Sequence, residues 1–148
     1  MSAGSGIRRT LAAVVLAAAA AGALAAGDVV TVYKSPSCGC CGAWVDYLRQ
    51  NGFTVSVRDV DDVNAARRFT GMPQRYGSCH TATVGGYAVE GHVPAADVRR
   101  LLAERPKAIG IAVPAMPPGS PGMPSPKPVA FDTLLVRSDG VHDIYARH

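Results

Sequence analysis

The chain has 148 residues, with 15 Lys and Arg against 11 Asp and Glu and a formal charge of +4. Two of the 15 basic residues, Arg8 and Arg9, lie in an N-terminal leader, so residues 27–148 carry 13 basic and 11 acidic groups, no footprint for nucleic acid. That portion is long enough for a single domain with a modest core and too short for two.

The leader pairs Arg8 and Arg9 with a run of Ala, Leu and Val over 11–26, broken only by Gly22, and offers a small-x-small cleavage pattern at Ala23-Leu24-Ala25. This is the pattern of a secretory signal peptide over residues 1–26. The run is shorter than the roughly 20 residues that cross a bilayer, so no membrane insertion is expected once the signal is removed. A periplasmic protein is expected.

Val29 to Lys34 is rich in β-branched residues and predicts a strand, ended by Pro36. From Gly42 onward Ala43, Trp44, Val45, Tyr47 and Leu48 fall at helical spacing, with Asn51-Gly52 as a stop. Phe53, Val55 and Val57 then alternate with polar residues, which completes a strand-helix-strand unit with parallel strands. Asp61 and Asp62 are candidate caps of a second helix carrying Val63, Ala66 and Phe69 and ending at Thr70-Gly71.

Cys79 to Val84, the pair Gly85-Gly86 and Tyr87 to His92 predict a hairpin, and Pro94 opens a third helix with Val98, Leu101 and Leu102 on one face. Strands and helices in this order resemble the thioredoxin-like arrangement, an α/β fold with a mixed sheet and flanking helices. Eight of the eleven prolines lie between Pro106 and Pro128, so a proline-rich loop, neither helix nor central strand, is expected over 107–128. Phe131 to Val136, the turn Ser138-Asp139-Gly140 and Val141 to Ala146 predict a C-terminal hairpin over 129–148, added to a sheet edge. One domain, residues 27–148, contains all of this.

The chemistry is concentrated in four cysteines. Cys38, Cys40 and Cys41 fall within four residues between the first strand and the first helix, and Cys79 opens the predicted hairpin. Two structural disulfides are the bland alternative in an oxidising compartment, but adjacent Cys40 and Cys41 are poorly placed for two ordinary cross-links. Thiols before a helix N-terminus are readily ionised, and a thiolate is both the nucleophile of disulfide exchange and a soft metal ligand. Cys38 and Cys41, at Cys-x-x-Cys spacing, are the catalytic pair if the chemistry is redox.

Thioredoxin-like oxidoreductases usually carry a proline directly before the strand facing that motif; here the stretch is Tyr76-Gly77-Ser78-Cys79-His80-Thr81. A fourth thiol in place of that proline favours a pocket for soft cations. Copper as Cu(I) is the leading candidate and zinc the less favoured one. Met116 and Met123 in the proline-rich loop are candidate thioether ligands, with gap-filling packing as their alternative. Met72 reads as packing. His80 reaches the same metal as Cys79 only if the strand starts later than drawn, because neighbours on a strand point to opposite faces. His92, His142 and His148 read as non-functional.

The strings Tyr-Lys-Ser-Pro-Ser-Cys-Gly-Cys-Cys-Gly (33–42), Ser-Cys-His-Thr-Ala (78–82), Val-Gly-Gly-Tyr-Ala-Val-Glu-Gly-His-Val-Pro-Ala (84–95) and Gly-Ser-Pro-Gly-Met (119–123) resemble the CopG-like family of small periplasmic copper-associated proteins. The resemblance implies a thioredoxin-like fold and a cysteine-rich copper site on Cys38, Cys40, Cys41 and Cys79. It also implies a role in copper resistance through conversion between Cu(I) and Cu(II). Four sulfurs so close together suit several coppers in one cluster. Copper ions and other periplasmic copper-handling proteins are the expected partners, and a thiol-disulfide oxidoreductase using Cys38 and Cys41 is the competing function.

Overall fold

The computed structural model describes Met1 and residues 28–148, so the expected signal peptide lies outside the described residues. Strand β1 (Val30–Lys34) carries Val30 and Val32 inward, both fully buried. After the turn at Pro36, helix α1 (Gly39–Gln50) lays Cys41, Trp44, Val45 and Leu48 against the sheet, and strand β2 (Val55–Asp59) pairs parallel with β1. Full burial of a side chain such as Leu48 contributes about 1.5–3 kcal/mol, which fixes α1 at the angle the apolar stripe dictates.

Helix α2 (Val63–Thr70) starts where an acidic cap was expected: Asp62 Oδ1 accepts hydrogen bonds from the backbone N–H groups of Asn64 and Ala65 at 2.8 and 3.1 Å. It ends at Gly71, whose φ of 81° suits glycine. Its burial inverts what its apolar residues suggest: Phe69 is 78% exposed and Arg67 is buried.

Strands β3 (His80–Val84) and β4 (Tyr87–Gly91) form the expected antiparallel hairpin, and β3 also pairs antiparallel with β1. Helix α3 (Ala95–Glu104) follows Pro94. The next element departs from expectation. Residues Gly110–Val113 form strand β5, fully inside the stretch assigned to the proline-rich loop, and pair parallel with β4 in the middle of the sheet. The prolines flank this segment at 106 and 114 and leave its four donors intact, so the local composition obscures a buried strand. Gly110 is required there, since a Cβ would run into the Ala88 backbone.

Strands β6 (Asp132–Val136) and β7 (His142–Arg147) make the predicted C-terminal hairpin on the β5 edge, giving a seven-stranded sheet in the order β2-β1-β3-β4-β5-β6-β7. The terminus is tied down by a buried Asp97 carboxylate that accepts from Thr133 Oγ1 at 2.6 Å and lies 2.9 Å from His148 Nε2. Among the described residues no helix is long and apolar enough to cross a membrane. The cysteines sit where β1 and β3 meet the start of α1.

Candidate metal centre

Helix α1 starts three residues earlier than its apolar spacing predicts. Cys38, in extended conformation with φ −79° and ψ 97°, is its N-cap residue, so Gly39, Cys40 and Cys41 all belong to the first turn. Cys41 is fully buried and joined to Cys38 in a disulfide with a Cα separation of 5.4 Å; Cys40 is a free thiol. Its Sγ lies 3.6 Å from Cys38 Sγ and 3.7 Å from Cys79 Sγ. All four sulfurs are within 4.8 Å of one another.

The second wall comes from the β3–β4 hairpin. Cys79 stands just before β3, whose first residue is His80, so the two neighbours escape strict alternation and His80 Nδ1 lies 3.5 Å from Cys79 Sγ. The later strand start that His80 required is the one observed. His92, expected to be non-functional, joins this wall, its Nε2 standing 3.1 Å from Cys79 Sγ. The signal was in the turn: Gly85-Gly86 pairs Val84 with Tyr87 and Thr81 with Glu90, and the same register carried two residues further sets Cys79 against His92. Cys79, His80 and His92 have donor atoms within 4.8 Å of one another.

Hydrogen bonding orients His92. Nδ1 is 2.8 Å from the Pro121 carbonyl, which can only accept, so the proton sits on Nδ1 and the Nε2 lone pair faces the sulfur. His80 is fully buried between Trp44 and His92, with ring centroids 4.5 and 4.9 Å away, and among the described residues its Nε2 has no hydrogen-bond partner. Burial first, and the neighbouring His92 second, lower its pKa to about 3. Burial also lowers that of His92, against the pull of Pro121. Cys79 is pushed up to about 12, chiefly by burial and then by Cys40. At neutral pH the pocket therefore holds a protonated Cys79 thiol and neutral imidazoles, and a cation entering it would displace the thiol proton.

The proline-rich segment closes over this wall. Ala115 donates its N–H to the Gly77 carbonyl at 3.0 Å, and its own carbonyl accepts from Ser78 Oγ. Gly122, with φ 81°, rests on the first turns of α1, where a Cβ would come within 3.0 Å of the Cys40 carbonyl oxygen. Met123 follows, half-buried, while Met116 is 46% exposed. Met72 packs with Tyr76, Ala88, Ala112 and Val136, as expected. His142 pairs with the Tyr76 hydroxyl at 3.0 Å and His148 with Asp97.

Fold and site together define a thioredoxin-like protein whose cysteine-bearing corner carries four sulfurs and two imidazoles instead of a dithiol facing a proline. Residues 30–80 match the glutaredoxin family model, and residues 76–123 match a family described as protein of unknown function, DUF411. Two solved structures, forms 2 and 1 of copper resistance protein CopG, are similar over almost their whole length. Both are 38% identical with a TM-score of 0.77, and the alignments cover 82% of this chain and 98% and 97% of those chains. The chain belongs to the CopG family. A search of the curated proteins finds no match.

Proposed function

We propose that residues 27–148 form a periplasmic copper-binding protein of copper resistance, which takes up Cu(I) through Cys38, Cys40, Cys41 and Cys79. His92 and His80 are imidazole ligands at the same corner, and Met116 and Met123 are neutral thioether ligands from the covering loop. The observation that carries this is the packing of four sulfurs within 4.8 Å of one another, with a lone pair of His92 aimed at Cys79 from 3.1 Å. Soft sulfur donors favour Cu(I), and adding imidazole accommodates Cu(II), so conversion between the two states belongs to the proposal. Sulfurs this close suit bridging and hence several coppers. The names of the similar structures support copper over zinc.

Because Cys38 and Cys41 are joined, use of all four sulfurs needs a two-electron reduction of that bond to two thiols. The deciding experiment is a Cu(I) titration of the reduced mature protein against a competing chelator, repeated with excess Zn(II). Tight uptake that zinc does not displace is expected; copper left on the chelator, or exchanged for zinc, refutes the reading. The Cys38–Cys41 disulfide itself favours a second reading, a thiol-disulfide oxidoreductase. Insulin reduction separates the two: poor turnover beside an ordinary thioredoxin is expected, and comparable turnover favours the second.

A further inference from the structure

Behind the strand wall lies a charged pair that the copper chemistry does not use. Arg67 of α2 and Glu90 of β4 are 3% and 0% exposed, with Arg67 Nε donating to Glu90 Oε1 at 2.8 Å. Both reach the residue before Cys79. Glu90 Oε1 accepts the Ser78 backbone N–H at 2.7 Å, and Arg67 Nη2 donates to the Ser78 carbonyl at 2.6 Å. The other guanidinium nitrogen is held by Asn64 Oδ1 at 2.6 Å and Gln74 Oε1 at 3.1 Å. Gly77 leaves room for this, since a Cβ would approach the guanidinium to 3.2 Å.

A buried ion pair is a poor way to gain stability, because desolvation takes back most of the attraction and apolar replacements are often as stable. Its yield is geometric. An arginine fork and a carboxylate bonded to both backbone groups of one residue fix the two peptide planes that flank Ser78, which no strand partner fixes, for Ser78 lies outside β3. Among the described residues Glu90 Oε2 has no hydrogen-bond partner, so the carboxylate's hydrogen bonds run to this clamp through Oε1.

We propose that Arg67 and Glu90 are positioning residues that hold the Ser78–Cys79 backbone so that Cys79 Sγ stays within bridging distance of Cys40 Sγ. Their importance for copper rests on the function proposed above; their control of the sulfur spacing does not. The test uses phenylarsine oxide on the metal-free mature protein with the Cys38–Cys41 disulfide intact. This reagent condenses with two neighbouring thiols, forming two As–S bonds and releasing one water, and neither oxidises nor reduces them.

The parent is expected to capture one arsenical per chain, and Cys79→Ser none. Arg67→Met with Glu90→Leu removes the clamp without leaving a lone buried charge; its affinity for the arsenical is expected to fall about tenfold with the folded circular-dichroism spectrum retained. Arg67→Lys keeps the charge but not the fork, and about a threefold loss is expected. It decides the matter alone if the double variant does not fold. Capture at the parental affinity by a folded variant overturns the proposal, and so does a parent that captures nothing. In Cu(I) competition the double variant is expected to lose about tenfold, but nothing further in a Cys79→Ser background, whereas a merely structural pair would add its loss there too. A parent that captures the arsenical but not Cu(I) refutes the copper function and leaves the clamp standing.

Discussion

The two walls of the thiol pocket are built in opposite ways. Cys38, Cys40 and Cys41 lie on one helix start, so their relative placement is a matter of local backbone geometry. Cys79, His80 and His92 come from a hairpin and depend on β3 and β4 pairing in register, on α2 supplying Arg67, and on the loop supplying Pro121. The walls also differ in chemistry. The helix wall holds a bond that reduction opens, while the hairpin wall holds a protonated thiol and neutral imidazoles that a cation can recruit. Thiol redox state therefore acts on one wall and acidity or loosened tertiary structure on the other.

Equal dependence of copper on both walls is the strongest claim in this comparison. Cys79→Ser and Cys38→Ser are each expected to weaken Cu(I) retention by about a hundredfold or more, since removing a ligand costs at least what removing a ligand's support does. Competition with a Cu(I) chelator measures both. Unchanged retention in Cys79→Ser would reduce the site to the helix wall.

Acid is expected to strike the hairpin wall. His80 has an ordinary pKa of 6.5 when unfolded and about 3 when folded, so between these values the unfolded chain binds a proton that the folded chain refuses. Stability from this residue is complete above pH 6.5 and falls by about 1.4 kcal/mol for each pH unit below it, or about 2 kcal/mol at pH 5. His92, also lowered, acts in the same direction; Glu90, whose carboxyl burial raises, acts in the opposite one. Comparing denaturant unfolding at pH 7 and pH 5 in the parent and in His80→Gln isolates the histidine. The pH effect should shrink by about 2 kcal/mol in the variant, and an identical effect would mean that His80 titrates normally in the fold.

How far the sequence speaks follows the same division. Local signals placed the helix wall, the cap at Asp62, the stop at Gly71 and the Gly85-Gly86 turn, because each rests on the conformation of a few adjacent residues. Pairings over distance were harder to see. His92 was readable from the hairpin register but not from its neighbours, and β5 was hidden by prolines that flank it without interrupting it. Arg67 gave no sign at all, since an arginine on a short polar helix is ordinarily solvated, and the partners that explain its burial, Glu90 and the Ser78 carbonyl, are distant in sequence.

The proline-rich loop should give a smaller effect than any cysteine. Met116→Ala with Met123→Ala is expected to leave folding intact and to speed Cu(I) loss to a chelator by less than tenfold, because thioethers add soft contacts without charge. Copper held as long as in the parent would make the loop a cover and nothing more.

The smallest effect concerns how that cover is pinned. Ala115 has φ 58°, a left-handed conformation that costs a residue with a Cβ about 1–2 kcal/mol. It is kept because its N–H reaches the Gly77 carbonyl and its own carbonyl reaches Ser78 Oγ, which ties the loop to the hairpin wall immediately before Cys79. Ala115→Gly relieves the strain and preserves both backbone contacts, but it frees the unfolded chain, which takes back about 0.4–1 kcal/mol. A net gain of about 0.5 kcal/mol is expected, seen as a rise in Tm of about 1–3 °C. Cu(I) retention should stay at the parental level, since no donor moves. A fall in Tm would mean that the Ala115 methyl contributes more to the cover than its backbone strain costs, and that the loop is held by packing rather than by its two bonds to Gly77 and Ser78.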